Sequence, residues 1–134
     1  MRDRTNRFFT GFFLVIVAAA LFGGWIRLDR ESVARRAAEM AYGNPHAGPD
    51  KIRKYGCYSC HTIPGVAGAN GLVGPPLAGI GGRVFIAGEL PNTPENLTHW
   101  IQHPHQVEPH TALPEMGVTD QDSRDIAAYL YTLR

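Results

Sequence analysis

From Phe8 to Ile26 the chain runs nineteen residues without a charge, FFTGFFLVIVAAALFGGWI, and this stretch divides everything else. As a helix it would be about 28 Å long, against a membrane hydrocarbon core of about 30 Å. Arg2, Arg4 and Arg7 precede it, and Trp25 sits near its far end, where interfacial aromatics gather. The rival reading is a cleaved signal peptide, because Ala18-Ala19-Ala20 resembles a small-residue cleavage site. Cleavage there would strand Leu21, Phe22, Trp25 and Ile26 at a new N-terminus with no core to join. An uncleaved transmembrane anchor over residues 8–26, with residues 1–7 as a short tail, is therefore expected. Orientation stays open on charge alone: three arginines lie before the span, and Arg27, Arg30, Arg35 and Arg36 lie after it.

The remainder of a 134-residue chain holds one small domain at most. Residues 29–42 (DRESVARRAAEMAY) read as a polar, alanine-rich helix continuing out of the membrane, broken by Gly43-Asn44-Pro45. Residues 27–47 thus form a helical linker, either a tether or a docked stalk. Residues 1–47 hold seven arginines and four acids, for +3, and residues 48–134 hold six bases and eight acids, for −2. With +1 overall there is no electrostatic case for nucleic acid as a partner. A short helix is expected over 49–55, loop over 62–92, a helix over 94–103 stopped by Pro104, and a closing helix over 120–133. Thr119 is the expected cap of the closing helix, with Asp122 answering from its third position. Ile126, Ala127, Leu130 and Leu133 then repeat at helical spacing. No good strand and no internal repeat is visible. About 87 residues with so much loop would bury little core unaided, so something else is expected at the centre.

Cys57-Tyr58-Ser59-Cys60-His61 is C-x-x-C-H, the attachment signature of c-type haem. Two thiols three residues apart can bond the two vinyl groups on one edge of a porphyrin, and the adjacent histidine can bind iron beneath the ring. Zinc would need a second pair of ligands, and the chain has two cysteines in all. A redox dithiol would want a strand–helix setting, and a disulfide across so short a loop is a dull alternative. The second axial ligand must come from downstream. Met116, in Leu113-Pro114-Glu115-Met116-Gly117, is the one methionine after the motif, in a proline-flanked loop where core residues are rarely placed. Its competitors are His99, His103, His105 and His110. His99 and His103 stand four apart on a candidate helix and could make a separate metal site; the ordinary reading is solvated residues near a helix end.

Over residues 48–134 the chain resembles the class I c-type cytochromes: short helix, attachment motif, Gly74-Pro75-Pro76-Leu77, methionine loop and closing amphipathic helix, in that order. The resemblance implies an all-α fold, an N-terminal transmembrane helix followed by about three to five helices around one covalently bound haem c. It implies Cys57 and Cys60 as attachment sites and His61 and Met116 as iron ligands. It further implies that the Pro75 carbonyl accepts the Nδ1–H of His61, fixing its tautomer. Gly79, Gly82 and Arg83 continue the family pattern, with Arg83 near a haem propionate, and Trp100 packs against the haem. Read alone, these are a turn, a loop charge and a core aromatic. Helices 49–55 and 120–133 would cross, with Tyr55 and Tyr129 as contacts. More narrowly, Arg83 to Pro104 is similar to the cytochrome domain fused to subunit II of some haem-copper oxidases. Those chains also carry a copper-binding domain, for which no residues remain here, so an oxidase subunit II itself is not expected.

The implied setting is the bacterial cytoplasmic membrane, crossed once, with the haem domain on the outer, periplasmic side, where the family receives its haem. With both axial positions filled, the iron suits electron transfer and not catalysis. Three readings follow. One is an anchored carrier from a quinol-oxidising complex to a terminal oxidase in a respiratory chain. Another is a fixed haem subunit of an oxidase, quinol:cytochrome c oxidoreductase or dehydrogenase, for which Gly23-Gly24 offers close helix contact. The last is a peroxidase or gas sensor with a displaceable ligand, which carbon monoxide binding would reveal.

Overall fold

The computed structural model describes the backbone of residues 2–134 and the side chains from Gly11 onward. It divides into two compact units, Met1–Val33 and Ala34–Arg134. Helix α1 (Arg2–Ala41) is uninterrupted, and its segment Gly11–Ala41 is long and apolar enough to cross a membrane. Within the first unit Phe12, Phe13, Leu14, Leu21 and Trp25 are exposed, each by 60% or more. So much unburied apolar surface sets this segment apart from a buried core helix and makes it a candidate membrane span.

The second unit opens with the last turns of α1, whose Ala37 and Ala41 are buried. Helix α2 (Gly48–Lys54) is short but well signalled: Pro49 in its first turn, Asp50 beside the N-terminal N–H groups, and Lys51, Arg53 and Lys54 beside the C-terminal carbonyls. One turn follows as α3 (Cys57–Cys60). Helix α4 (Pro94–Gln102) starts at Thr93, whose hydroxyl accepts from the Asn96 N–H at 3.2 Å. Pro104 ends it, since the residue before a proline is pushed out of the helical region, and His103 has φ −133°. The chain then re-enters one helical turn, α5 (Pro104–Val107), where only a stop was expected.

Helix α6 (Asp120–Thr132) is capped by Thr119, which accepts from the Asp122 N–H at 3.3 Å. The answering half of the expected capping box does not form. The Asp122 carboxylate turns instead to α2, where it meets Lys51 Nζ at 2.6 Å, Lys54 Nζ at 2.7 Å and Tyr55 Oη at 2.8 Å. Helices α2 and α6 cross there, and a Cβ on Gly48 would strike the Tyr129 side chain and come within 2.8 Å of the Asp125 carbonyl. Tyr129 itself donates to the Pro64 carbonyl. Ile52, Leu97, Ile126, Ala127 and Leu130 form the buried centre between α2, α4 and α6.

The stretch 62–92 is mostly loop, as expected, with small regular pieces: a 3₁₀ turn at Ile80–Gly82 and the strands β1 (Phe85–Ile86) and β2 (Leu90–Pro91). The two strands pair antiparallel, Phe85 opposite Pro91 and Ile86 opposite Leu90. Two-residue strands are too short to show alternation, which is why the sequence carries no sign of them.

Candidate functional site

Two adjoining compartments form one cleft in the second unit. The first is lined by apolar side chains from α2, α4 and α6, including Ile52, Leu97, Trp100 and Leu130, and by Cys57, His61 and Met116. The second shares His61, Leu77, Ile80, Leu97, Trp100 and Leu113 with it and adds Cys60, Pro75 and Arg83. Both compartments are open to solvent and are lined mainly by apolar side chains. The void lies where the sparse core left something to be expected.

The wall around His61 is built from short-range contacts. The Gly74 N–H donates to the Cys60 carbonyl at 2.8 Å and the Leu77 N–H to the Thr62 carbonyl at 2.9 Å, so the 71–77 loop lies along the C-x-x-C-H turn. Gly74 faces the imidazole, and a Cβ there would meet Cε1 and come within 2.6 Å of Nδ1. His61 Nδ1 lies 2.8 Å from the Pro75 carbonyl oxygen. A carbonyl only accepts, so Nδ1 carries the hydrogen and Nε2 is left with the lone pair a metal needs. The Cys57 and Cys60 sulfurs are not joined in a disulfide. Burial pushes the Cys57 thiol up.

Of the five downstream candidates, Met116 is half-buried and lines the compartment that holds Cys57 and His61. His99 and His103 line a separate polar recess, His105 lies 3.6 Å from Glu115, and His110 is exposed. Trp100 borders both compartments. Arg83 lines the second, and its guanidinium donates to the Pro76 carbonyl at 2.5 Å and the Ala78 carbonyl at 3.2 Å. One supporting residue escaped the sequence reading. Asn92 Nδ2 donates to the carbonyls of Ile80 and Arg83 at 2.8 and 2.9 Å, and its oxygen accepts from Tyr131 Oη at 3.0 Å. An asparagine among Pro91 and Thr93 looks like any turn residue, and its partners lie up to 39 positions away.

A small helical domain wrapped on an apolar cleft that offers two thiols, an oriented imidazole and a thioether is built to hold a haem. The cytochrome c family model matches residues 38–134, most of the chain, and the chain belongs to the cytochrome c family. It therefore binds haem and carries electrons. It is also similar to a protein named cytochrome c oxidase subunit 2 from Alkalihalophilus pseudofirmus, 26% identical over 124 residues. The match covers 92% of this chain but 34% of that relative, so the chain spans about a third of its length. No solved structure matches the chain. The mostly helical fold, with five helices after α1, agrees with the all-α reading.

Proposed function

We propose that this protein is a membrane-anchored monohaem cytochrome c that passes single electrons from a quinol-oxidising complex to a terminal oxidase. The observation that carries this reading is the meeting of Cys57, Cys60, His61 and Met116 on one apolar cleft. When bound, the haem iron supplies a one-electron couple whose potential follows its axial ligands, hydrogen bonding and burial. Cys57 and Cys60 would hold the porphyrin edge through thioether bonds. His61 Nε2 and the Met116 sulfur would bind the iron, and the Pro75 carbonyl keeps the imidazole in one tautomer and one orientation. Leu97, Trp100 and Leu113 exclude water, and Arg83 sits on the more polar compartment, where a propionate would be met by its charge. With His61 and Met116 both serving as ligands, the iron would have no free site for a substrate, which suits an electron carrier.

Residues 8–26 cross the bacterial cytoplasmic membrane, residues 1–7 lie inside, and the haem domain lies on the outer side. The net −2 of residues 48–134 steers partners weakly. Confinement to one membrane replaces steering, because it raises the effective concentration of partners. The likeness to an oxidase subunit favours one alternative, a fixed haem subunit of a larger redox complex. Extraction of native membranes in mild detergent, followed by a native gel stained for haem, separates the two. A small haem-staining species is the carrier's outcome. Comigration with a large complex that survives moderate salt makes the protein a built-in subunit.

A further inference from the structure

The haem cleft uses one side of α4, through Leu97, Trp100 and Ile101. His99 and His103 belong to a different side of that helix: both are exposed and border a polar recess shared with Glu95, Asp120 and Arg124. Their positions, four apart at the end of α4, put the two imidazoles one above the other. The ring centroids are 5.5 Å apart with the planes 53° from parallel. With metal–nitrogen bonds of about 2.0–2.1 Å, two imidazoles on one ion have ring centroids roughly 5 Å apart, so a small rotamer adjustment closes the chelate.

We propose that His99 and His103 form a two-imidazole site for a divalent first-row transition-metal ion, separate from the haem iron. The local field favours a cation. The pair sits at the last turn of α4, where unsatisfied carbonyls carry partial negative charge. In the same recess Asp120 is bound by Arg124 at 3.0 and 3.2 Å, and the Glu95 carboxylate, one turn before His99, adds negative charge that Arg124 offsets only in part. Among the described residues no third His, Cys, Asp or Glu joins the pair in a three-ligand group. Water completes the coordination, which makes the site an exchangeable one and not a structural zinc centre. Affinity then follows the general order for nitrogen ligands, with Cu²⁺ held most tightly.

The test adds Cu²⁺ alone to the oxidised, haem-loaded full chain in detergent micelles and follows electron paramagnetic resonance and competition with a chelator. The expected result is one tightly bound equivalent with nitrogen hyperfine splitting. His99→Gln and His103→Gln should each weaken binding at least tenfold, and His110→Gln should not. An unchanged haem absorption spectrum in every variant establishes that the domain is folded and its haem cleft undisturbed. Equal Cu²⁺ affinity in the parent and in the H99Q/H103Q double variant overturns the proposal. So does a copper signal without nitrogen coupling.

Discussion

At the scale of single residues the site depends on how closely the 71–77 loop approaches His61. Gly74 has no side chain because the imidazole occupies the place where a Cβ would stand. Gly74→Ala must push the ring or the loop away, and the expected cost is that of overpacking, about 1–3 kcal/mol. Denaturant unfolding of the variant should show this loss, together with a smaller fraction of chains carrying haem. Unchanged stability would mean that the loop gives way freely. Pro75 acts through its backbone oxygen, so Pro75→Ala keeps the acceptor and loosens only the loop that aims it. Haem retention is expected in that variant, with a changed potential as the readout.

Among the elements, the crossing of α2 and α6 turns on Asp122, buried and held by two lysines and a tyrosine. Hydrogen bonds from Lys51, Lys54 and Tyr55 hold its carboxyl well below the usual carboxylate range. A carboxyl depressed in the folded state stabilises the fold at every pH above its unfolded value, about 3.9. That contribution fades as pH falls below this value toward the folded one. Asp122→Asn should therefore be less stable than the parent by a constant margin between pH 5 and pH 8, and the margin should shrink below about pH 4. A margin that does not change on acidification would place the stability elsewhere. At the other extreme, burial pushes the Tyr131 hydroxyl up to about 12. The hydroxyl therefore keeps its proton and its bond to Asn92 until pH nears 12, and the stability it contributes is full below the ordinary tyrosine value of about 10 and is lost as pH rises through about 12.

The same elements show what sequence can and cannot carry. Proline at a first turn, threonine before Pro94 and Asp120, and the spacing of Ile126, Ala127 and Leu130 are local signals, and the corresponding helices lie within a residue of where they were expected. Asp122 reads locally as a capping partner of Thr119, whereas its actual partners, Tyr55, Lys54 and Lys51, are 67 to 71 positions away. The Asn92 clamp and the two-residue strands were missed for the same reason: nothing local specifies them. In the cleft, the C-x-x-C-H turn announced itself. The gathering of Ile52, Leu97, Trp100 and Leu130 around it is a property of packed helices, and no spacing within one segment encodes it.

For the molecule as a whole, two units of opposite character share one chain. An apolar helical unit exposes its side chains, and a helical domain wraps an apolar cleft. Washing native membranes with alkaline carbonate should leave the protein in the pellet, since about nineteen apolar residues in hydrocarbon outweigh any ionic attachment. Release into the wash would show that the helix does not span.

His61 and the Met116 sulfur, which line one compartment of the cleft, are the proposed iron ligands. The most direct measurement is the absorption spectrum of the oxidised protein, read for the sulfur-to-iron charge-transfer band in the parent and in Met116→Ala. The band should be present in the parent and absent in the variant, whose potential should fall and whose reduced form should bind carbon monoxide. A parent without the band, or a variant that keeps it, would contradict the assignment of Met116.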